Sequence, residues 1–126
     1  KINAKMSEII ICEKRPKNKV NDILVQYSKN ISSQNGEDGI IDKIFDLIDA
    51  FDGKQNNINS DKICCEFGCC DGKFLSNTYN LIKNKQWKGI LIEADKLKYN
   101  GLIENYSNEI KNKQVLTQCE LVGFNQ

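Results

Sequence analysis

The chain has 126 residues, 18 of them basic and 17 acidic, for a formal net charge of +1 and an aromatic share of 8%. That length fits one domain with a buried core and excludes a second. So even a charge gives no electrostatic case for nucleic acid or a membrane surface, and no run approaches the ~20 apolar residues a membrane span needs.

The opening residues set lysines ahead of a short apolar stretch, Ile9 to Cys12, well below the roughly 7 to 15 residues of a signal peptide's apolar region. With no secretion signal, six cysteines read as the reduced thiols of a cytoplasmic protein rather than as a disulfide framework. The chain starts on Lys1 and stops at Gln126 after an apolar run, so it reads as a fragment of something longer. Beyond a break at Pro16, the residues Val20, Ile23, Leu24, Tyr27 and Ile31 recur at helical spacing and predict a first helix. A stronger helix is predicted from Asp38 to Phe51, with Ile40, Ile41, Ile44, Phe45, Ile48 and Phe51 in one apolar stripe. Asn35 is its expected cap, and Glu37 and Asp38 complement the dipole in its first turn. From Gly53 to Lys62 the chain is polar and aperiodic, as expected of a surface loop without chemistry.

At Ile63 the period changes. The β-prone run KICCEF, closed by Gly68, predicts a short buried strand. Leu75, Tyr79 and Ile82 then share a helical face, with Trp87 near its end. After a turn at Lys88-Gly89, the run Gly89 to Glu93 predicts a second strand. Tyr99, Leu102, Ile103, Tyr106 and Ile110 predict one further helix, and Gln114 to Val122 a third strand. The order is helical first and alternating afterwards. Residues 1–52 therefore read as a helical lead-in, and residues 53–126 as the N-terminal half of a Rossmann-like α/β domain with about three parallel strands.

The segment Glu66 to Gly72, EFGCCDG, joins the first strand to the helix after it, where open α/β sheets form the floor of a ligand site. Gly68 and Gly72 allow close backbone approach, and loop amides with a helix N-terminus offer donors. About twenty residues on, Glu93 ends the second strand, a place from which an acid accepts hydrogen bonds from ribose hydroxyls. These features indicate a nucleoside-containing cofactor. A dinucleotide fold wants G-x-G-x-x-G against a pyrophosphate, whereas this loop has only G-x-x-x-G with Asp71 inside it. Asp71 and Glu66 suit a cofactor that carries an ammonium group and a sulfonium, namely S-adenosylmethionine.

The runs SSQNGEDGIIDKIF (Ser32 to Phe45), CCEFGCCDGKFLSNTYNLI (Cys64 to Ile82) and WKGILIEAD (Trp87 to Asp95) together resemble the FkbM-like class I methyltransferases. The resemblance implies a Rossmann-like enzyme that transfers a methyl group from S-adenosyl-L-methionine to an oxygen of a small-molecule or glycan acceptor. It implies that Glu66, Gly68, Asp71 and Gly72 form the first cofactor motif, that Glu93 takes the ribose, and that Asn77 helps hold the methionine end. The loop departs from the glycine-richer form of many methyltransferases in having Cys69 and Cys70 inside it. Gln34, Glu37 and Asp38 match the family's element ahead of the sheet, which reads first as a helix-start device. No residue stands out as catalytic.

Two other classes share these features. A nicotinamide-dependent oxidoreductase would keep the fold and Glu93, and a non-catalytic interaction domain would keep the fold alone. Asp95 reads as the N-cap of the next helix. Cys64, Cys65, Cys69 and Cys70 invite a zinc reading, but adjacent strand residues point to opposite faces and the chain has no histidine. Small buried hydrophobes are the better reading, and no metal is expected. Trp87, Tyr79 and Tyr106 fit a helical layer packed on the sheet.

Overall fold

A computed structural model describes residues 23–51 and 62–123. The remaining expectations, for Ile9 to Cys12, Pro16, Val20 and most of the Gly53 to Lys62 loop, lie outside the described residues. After a short helical stretch at residues 23–25, a long helix, α1 (Glu37–Phe51), follows. The strand β1 (Ile63–Phe67), the short helix α2 (Tyr79–Lys83) and the strand β2 (Lys88–Ile92) follow. The helices α3 (Lys96–Asn105) and α4 (Ser107–Lys111) then lead to β3 (Val115–Gln118).

The three strands form one all-parallel sheet in the order β1-β2-β3, the arrangement of a partial Rossmann-like α/β fold. Ile63 pairs with Lys88 and Phe67 with Ile92 across the first ladder, and Gly89 with Val115 and Ile92 with Gln118 across the second. On the covered face Cys69, Ile82, Leu91, Leu102, Tyr106 and Val115 form the core, bordered by Cys64, Tyr79, Tyr99 and Ile110. Burying an aliphatic side chain of this kind contributes roughly 1.5 to 3 kcal/mol, so this small cluster is the main store of stability. The aromatic expectation holds: Tyr79 meets Tyr106 edge-on, with ring centroids 6.3 Å apart, and Trp87 is buried.

Several boundaries differ from the sequence reading, each for a physical reason. β1 is not a buried strand among the described residues, where nothing covers the opposite sheet face and Ile63 and Phe67 stand 60% and 62% exposed. Leu75 lies outside α2 with φ of 57°, since the chain from Gly68 to Thr78 is held in turns by side-chain hydrogen bonds. Lys88 and Gly89 belong to β2 and pair with β1, so the turn falls earlier. The single predicted helix after β2 breaks at Tyr106, whose φ of −116° and ψ of 18° are not helical. β3 ends at Gln118, and Leu121 and Val122 are exposed. Of the first predicted helix, Ile23 and Leu24 are helical, whereas Tyr27 and Ile31 are not, the chain having turned at residues 26–27.

α1 begins one residue earlier than expected, and its apolar stripe is only partly covered. Phe45 meets Trp87 edge-on at 4.6 Å between centroids, whereas Ile44, Ile48 and Phe51 are exposed. Polar contacts hold the helix as well: Lys62 pairs with Asp49 at 2.6 Å, and the Asn80 amide donates to Asp42 at 3.2 Å. Asn35 does not cap the helix. Its backbone N–H donates to Glu37 at 2.6 Å, so the acid satisfies the preceding turn instead. Among the described residues no helix is long and apolar enough to cross a membrane.

Candidate functional site

The loop after β1 is closed almost entirely by its own protein contacts. The Gly68 N–H donates to the Ile92 carbonyl at 2.8 Å, and the Gly72 N–H to the Cys69 carbonyl at 2.8 Å. Asp71 Oδ1 accepts from the amides of Lys73 at 3.0 Å and Phe74 at 2.7 Å, an Asx-type turn that sets the chain after Gly72. The Asn105 side chain donates to the Asp71 carbonyl at 2.9 Å, and the Tyr106 hydroxyl to the Gly72 carbonyl at 2.8 Å. The loop is thus tied to the helices of the covered face. The expected supply of free amide donors is absent from most of it, because these N–H groups already have protein partners. Nor does a helix N-terminus sit at the glycines, since α2 starts only at Tyr79.

The two glycines have different tasks. Both take positive φ, 67° at Gly68 and 73° at Gly72. A methyl group on Gly68 would meet nothing within 4 Å, so its outer side is open to a ligand. On Gly72 it would lie 2.5 Å from both Leu102 and Tyr106, so this glycine serves packing.

Glu66 and Glu93 hold the two sides of the loop. Glu66 Oε2 accepts from the hydroxyls of Ser76 at 2.7 Å and Thr78 at 2.6 Å, while Oε1 accepts from the Asn77 N–H at 3.1 Å. Ser76 Oγ in turn accepts from the Tyr79 N–H at 3.0 Å, which starts α2. Glu93 is 7% exposed; its Oε2 accepts from the Cys70 N–H at 2.7 Å and its Oε1 from the Asp95 N–H at 2.8 Å. The sequence-predicted residues Glu66, Gly68, Asp71, Gly72 and Glu93 are therefore brought together at the carboxyl edge of the sheet. Asn77 is exposed, and its side chain makes no hydrogen bond among the described residues. Asp95 caps α3, accepting at Oδ1 from Leu97 at 2.8 Å and Lys98 at 3.1 Å. The amides of Lys98 and Leu97 hold its carboxyl below the usual range.

Beside the loop lies an open cleft of about 400 Å³, lined by Ile31, Ser32, Asp71, Lys73, Phe74 and Leu75. Of the residues expected at the site only Asp71 lines this cleft, and the other lining residues were not legible as a wall in the sequence. Ser76 and Thr78 were missed too, although their hydroxyls directly after the glycine loop are a usable signal once an acid on the strand needs donors. Gln34 offers only its carbonyl, to Asn30 at 3.0 Å.

The four cysteines around the loop separate by environment. Cys69 is 2% exposed and belongs to the core although it lies in the loop, so replacing it is expected to disturb packing. Burial, reinforced by the charges of Glu66 and Glu93, pushes its thiol up to about 12. Burial and then Glu66 push Cys64 up to about 11, while Cys65 on the uncovered face is exposed. Because the thiolate is the nucleophile, alkylation at pH 8 followed by peptide mass analysis is expected to label Cys65 well ahead of Cys64 and Cys69. Equal labelling of Cys69 and Cys65 in the folded protein would contradict the core position. Among the described residues no three acidic, cysteine or histidine side chains gather to hold a metal ion.

Compared with protein-family models, with curated proteins and with solved structures, the chain matches none.

Proposed function

We propose that this chain holds S-adenosylmethionine at the carboxyl edge of its parallel sheet and serves methyl transfer to an oxygen of a small-molecule or glycan acceptor. The observation that carries the reading is the polarity of the first loop. Most of its amides are consumed by the protein, and what the loop presents to the adjacent cleft is the Asp71 carboxylate, whose Oδ2 has no hydrogen bond among the described residues, with Lys73 beside it in the lining. One carboxylate beside one lysine suits a ligand end that carries both an ammonium and a carboxylate, and a loop with few free N–H groups lacks the convergent donors a pyrophosphate needs. When bound, the cofactor supplies an electrophilic methyl carbon on a sulfonium. The chain's own residues supply position and charge.

In this reading Asp71 faces the ammonium, and Gly68 leaves room for the ligand against the backbone. Glu93 stands where the ribose hydroxyls would lie, with one lone pair on each oxygen still open after its two amide bonds. Glu66 fixes the loop through Ser76, Thr78 and Asn77, and Asn77 offers its unbonded side chain to the methionine end. Gly72 seats the loop on α3. The accompanying reading, a reducing, cytoplasmic setting, rests on six cysteines in a sequence without a secretion signal.

The test is calorimetric titration with S-adenosylmethionine, S-adenosylhomocysteine and NAD. Saturable binding of the first two, weakened for both in Asp71→Asn because both carry the ammonium, is the expected result. Binding of NAD alone would move the assignment to a nicotinamide enzyme, and binding of none would leave the fold without this cofactor.

A further inference from the structure

Asp38 is 1% exposed, and it does more than start α1. Its Oδ2 lies 2.8 Å from the backbone nitrogens of Ile31, Ser32 and Ser33 and 2.8 Å from Ser33 Oγ. Ser33 Oγ in turn accepts from the Asp38 N–H at 3.1 Å. Three successive amides converging on one carboxylate oxygen define the path of the turn they belong to. Two residues of that turn, Ile31 and Ser32, line the cleft opposite Asp71, Lys73, Phe74 and Leu75. Ser32 also donates its hydroxyl to the Lys73 carbonyl, a bond across 41 residues of chain.

We propose that Asp38 is a positioning residue for the cleft: it gathers the Ile31–Ser33 amides into the cleft's second wall, and Ser32 ties that wall to the loop after β1. This deepens the S-adenosylmethionine reading, because the wall and the Asp71 loop must be in register for the cleft to exist. Asp38 itself does not line the cleft, so its effect on a ligand passes through the turn. A helix-start residue alone would influence only α1 and its first turn. The proposed role reaches the amides of Gly72, Lys73, Phe74 and Ser76, which are held by bonds inside the other wall.

Those four amides are the reporters for hydrogen exchange, with the amides of Leu91 and Gln118, which face each other's strands in the parallel ladder, as a control for global opening. Ser32→Ala leaves the Asp38 contacts to backbone intact and cuts only the tie, so it avoids the risk that Asp38→Ala simply fails to fold. Exchange at the reporters is expected to quicken about tenfold in Ser32→Ala and in Asp38→Ala, with the sheet controls unmoved in Ser32→Ala. Asp38→Asn keeps one oxygen for the amides and should recover much of the loss. S-adenosylmethionine affinity is expected to fall by a similar factor in Ser32→Ala. Reporter exchange unchanged in Ser32→Ala overturns the proposal. If the parent protein binds no S-adenosylmethionine, the methyltransferase reading falls, and the exchange result still decides whether Asp38 and Ser32 order the cleft.

Discussion

Gly72→Ala is expected to lower folding stability by roughly 2 to 5 kcal/mol, the largest effect of any single methyl group in the loop. Two costs add. A residue with a Cβ at positive φ costs about 1 to 2 kcal/mol, and forcing a methyl group into a filled core costs about 1 to 3 kcal/mol more. The second applies because the new carbon would sit 2.5 Å from Leu102 and Tyr106, which are buried and cannot yield without moving α3. Gly68→Ala is the control, since φ is 67° there but nothing lies within 4 Å of the added carbon. It should cost only the first amount. The chain itself tolerates that conformation at Cys70, Leu75, Gln86 and Lys113. Urea denaturation of both variants separates the terms through the midpoint at constant slope. Equal losses would mean that the Gly72 approach to α3 carries no weight. A ligand bound against Gly68 would show the opposite ranking in affinity, with Gly68→Ala the more damaging.

What the sequence made legible follows from how far each signal reaches. The strands were readable because Ile63 to Phe67 and Gly89 to Ile92 are short β-prone runs bounded by turn residues, and pairing in parallel needs little more. Asp95 was readable as a cap because an N-cap involves only the next three residues. Periodicity said correctly that α1 has an apolar side but not whether anything covers it, so Ile48 and Phe51 were expected inside and stand exposed. Leu75 fits a helical spacing with Tyr79 and Ile82, yet the hydroxyls of Ser76 and Thr78 bind Glu66 and hold the backbone out of the helix. The same limit applies to the candidate site. Glu66, Asp71 and Glu93 could be picked by position, but that Glu66 and Glu93 would spend their oxygens on the loop depends on contacts 10 to 23 residues away. The link from Ser32 to Lys73 spans more still, and no local pattern encodes it.

Glu93→Gln is expected to have two separable effects, one on the fold and one on the ligand. Both carboxylate oxygens accept a backbone N–H, from Cys70 at 2.7 Å and from Asp95 at 2.8 Å. Glutamine offers one oxygen, so its NH2 must face one of those donors in a nearly buried site, at a cost of about 1 to 3 kcal/mol. That loss appears without ligand, in the urea midpoint. Asp95→Asn should be close to neutral by comparison, because both capped amides bind the same oxygen, Oδ1, and asparagine caps as well as aspartate. The ligand effect needs a cycle rather than a single variant, since a loosened loop would weaken any binding. If Glu93 accepts from the ribose hydroxyls, the parent protein should bind S-adenosylhomocysteine about tenfold more tightly than its 2′,3′-dideoxy analogue, a difference of about 1.4 kcal/mol. Glu93→Gln should bind both more weakly and discriminate between them little. Because the loop's contribution cancels between the two ligands, the remaining coupling belongs to the carboxylate and the hydroxyls. Undiminished discrimination in the variant would leave Glu93 as the clamp between β2 and the Cys70 amide, and would send the ribose to another acceptor.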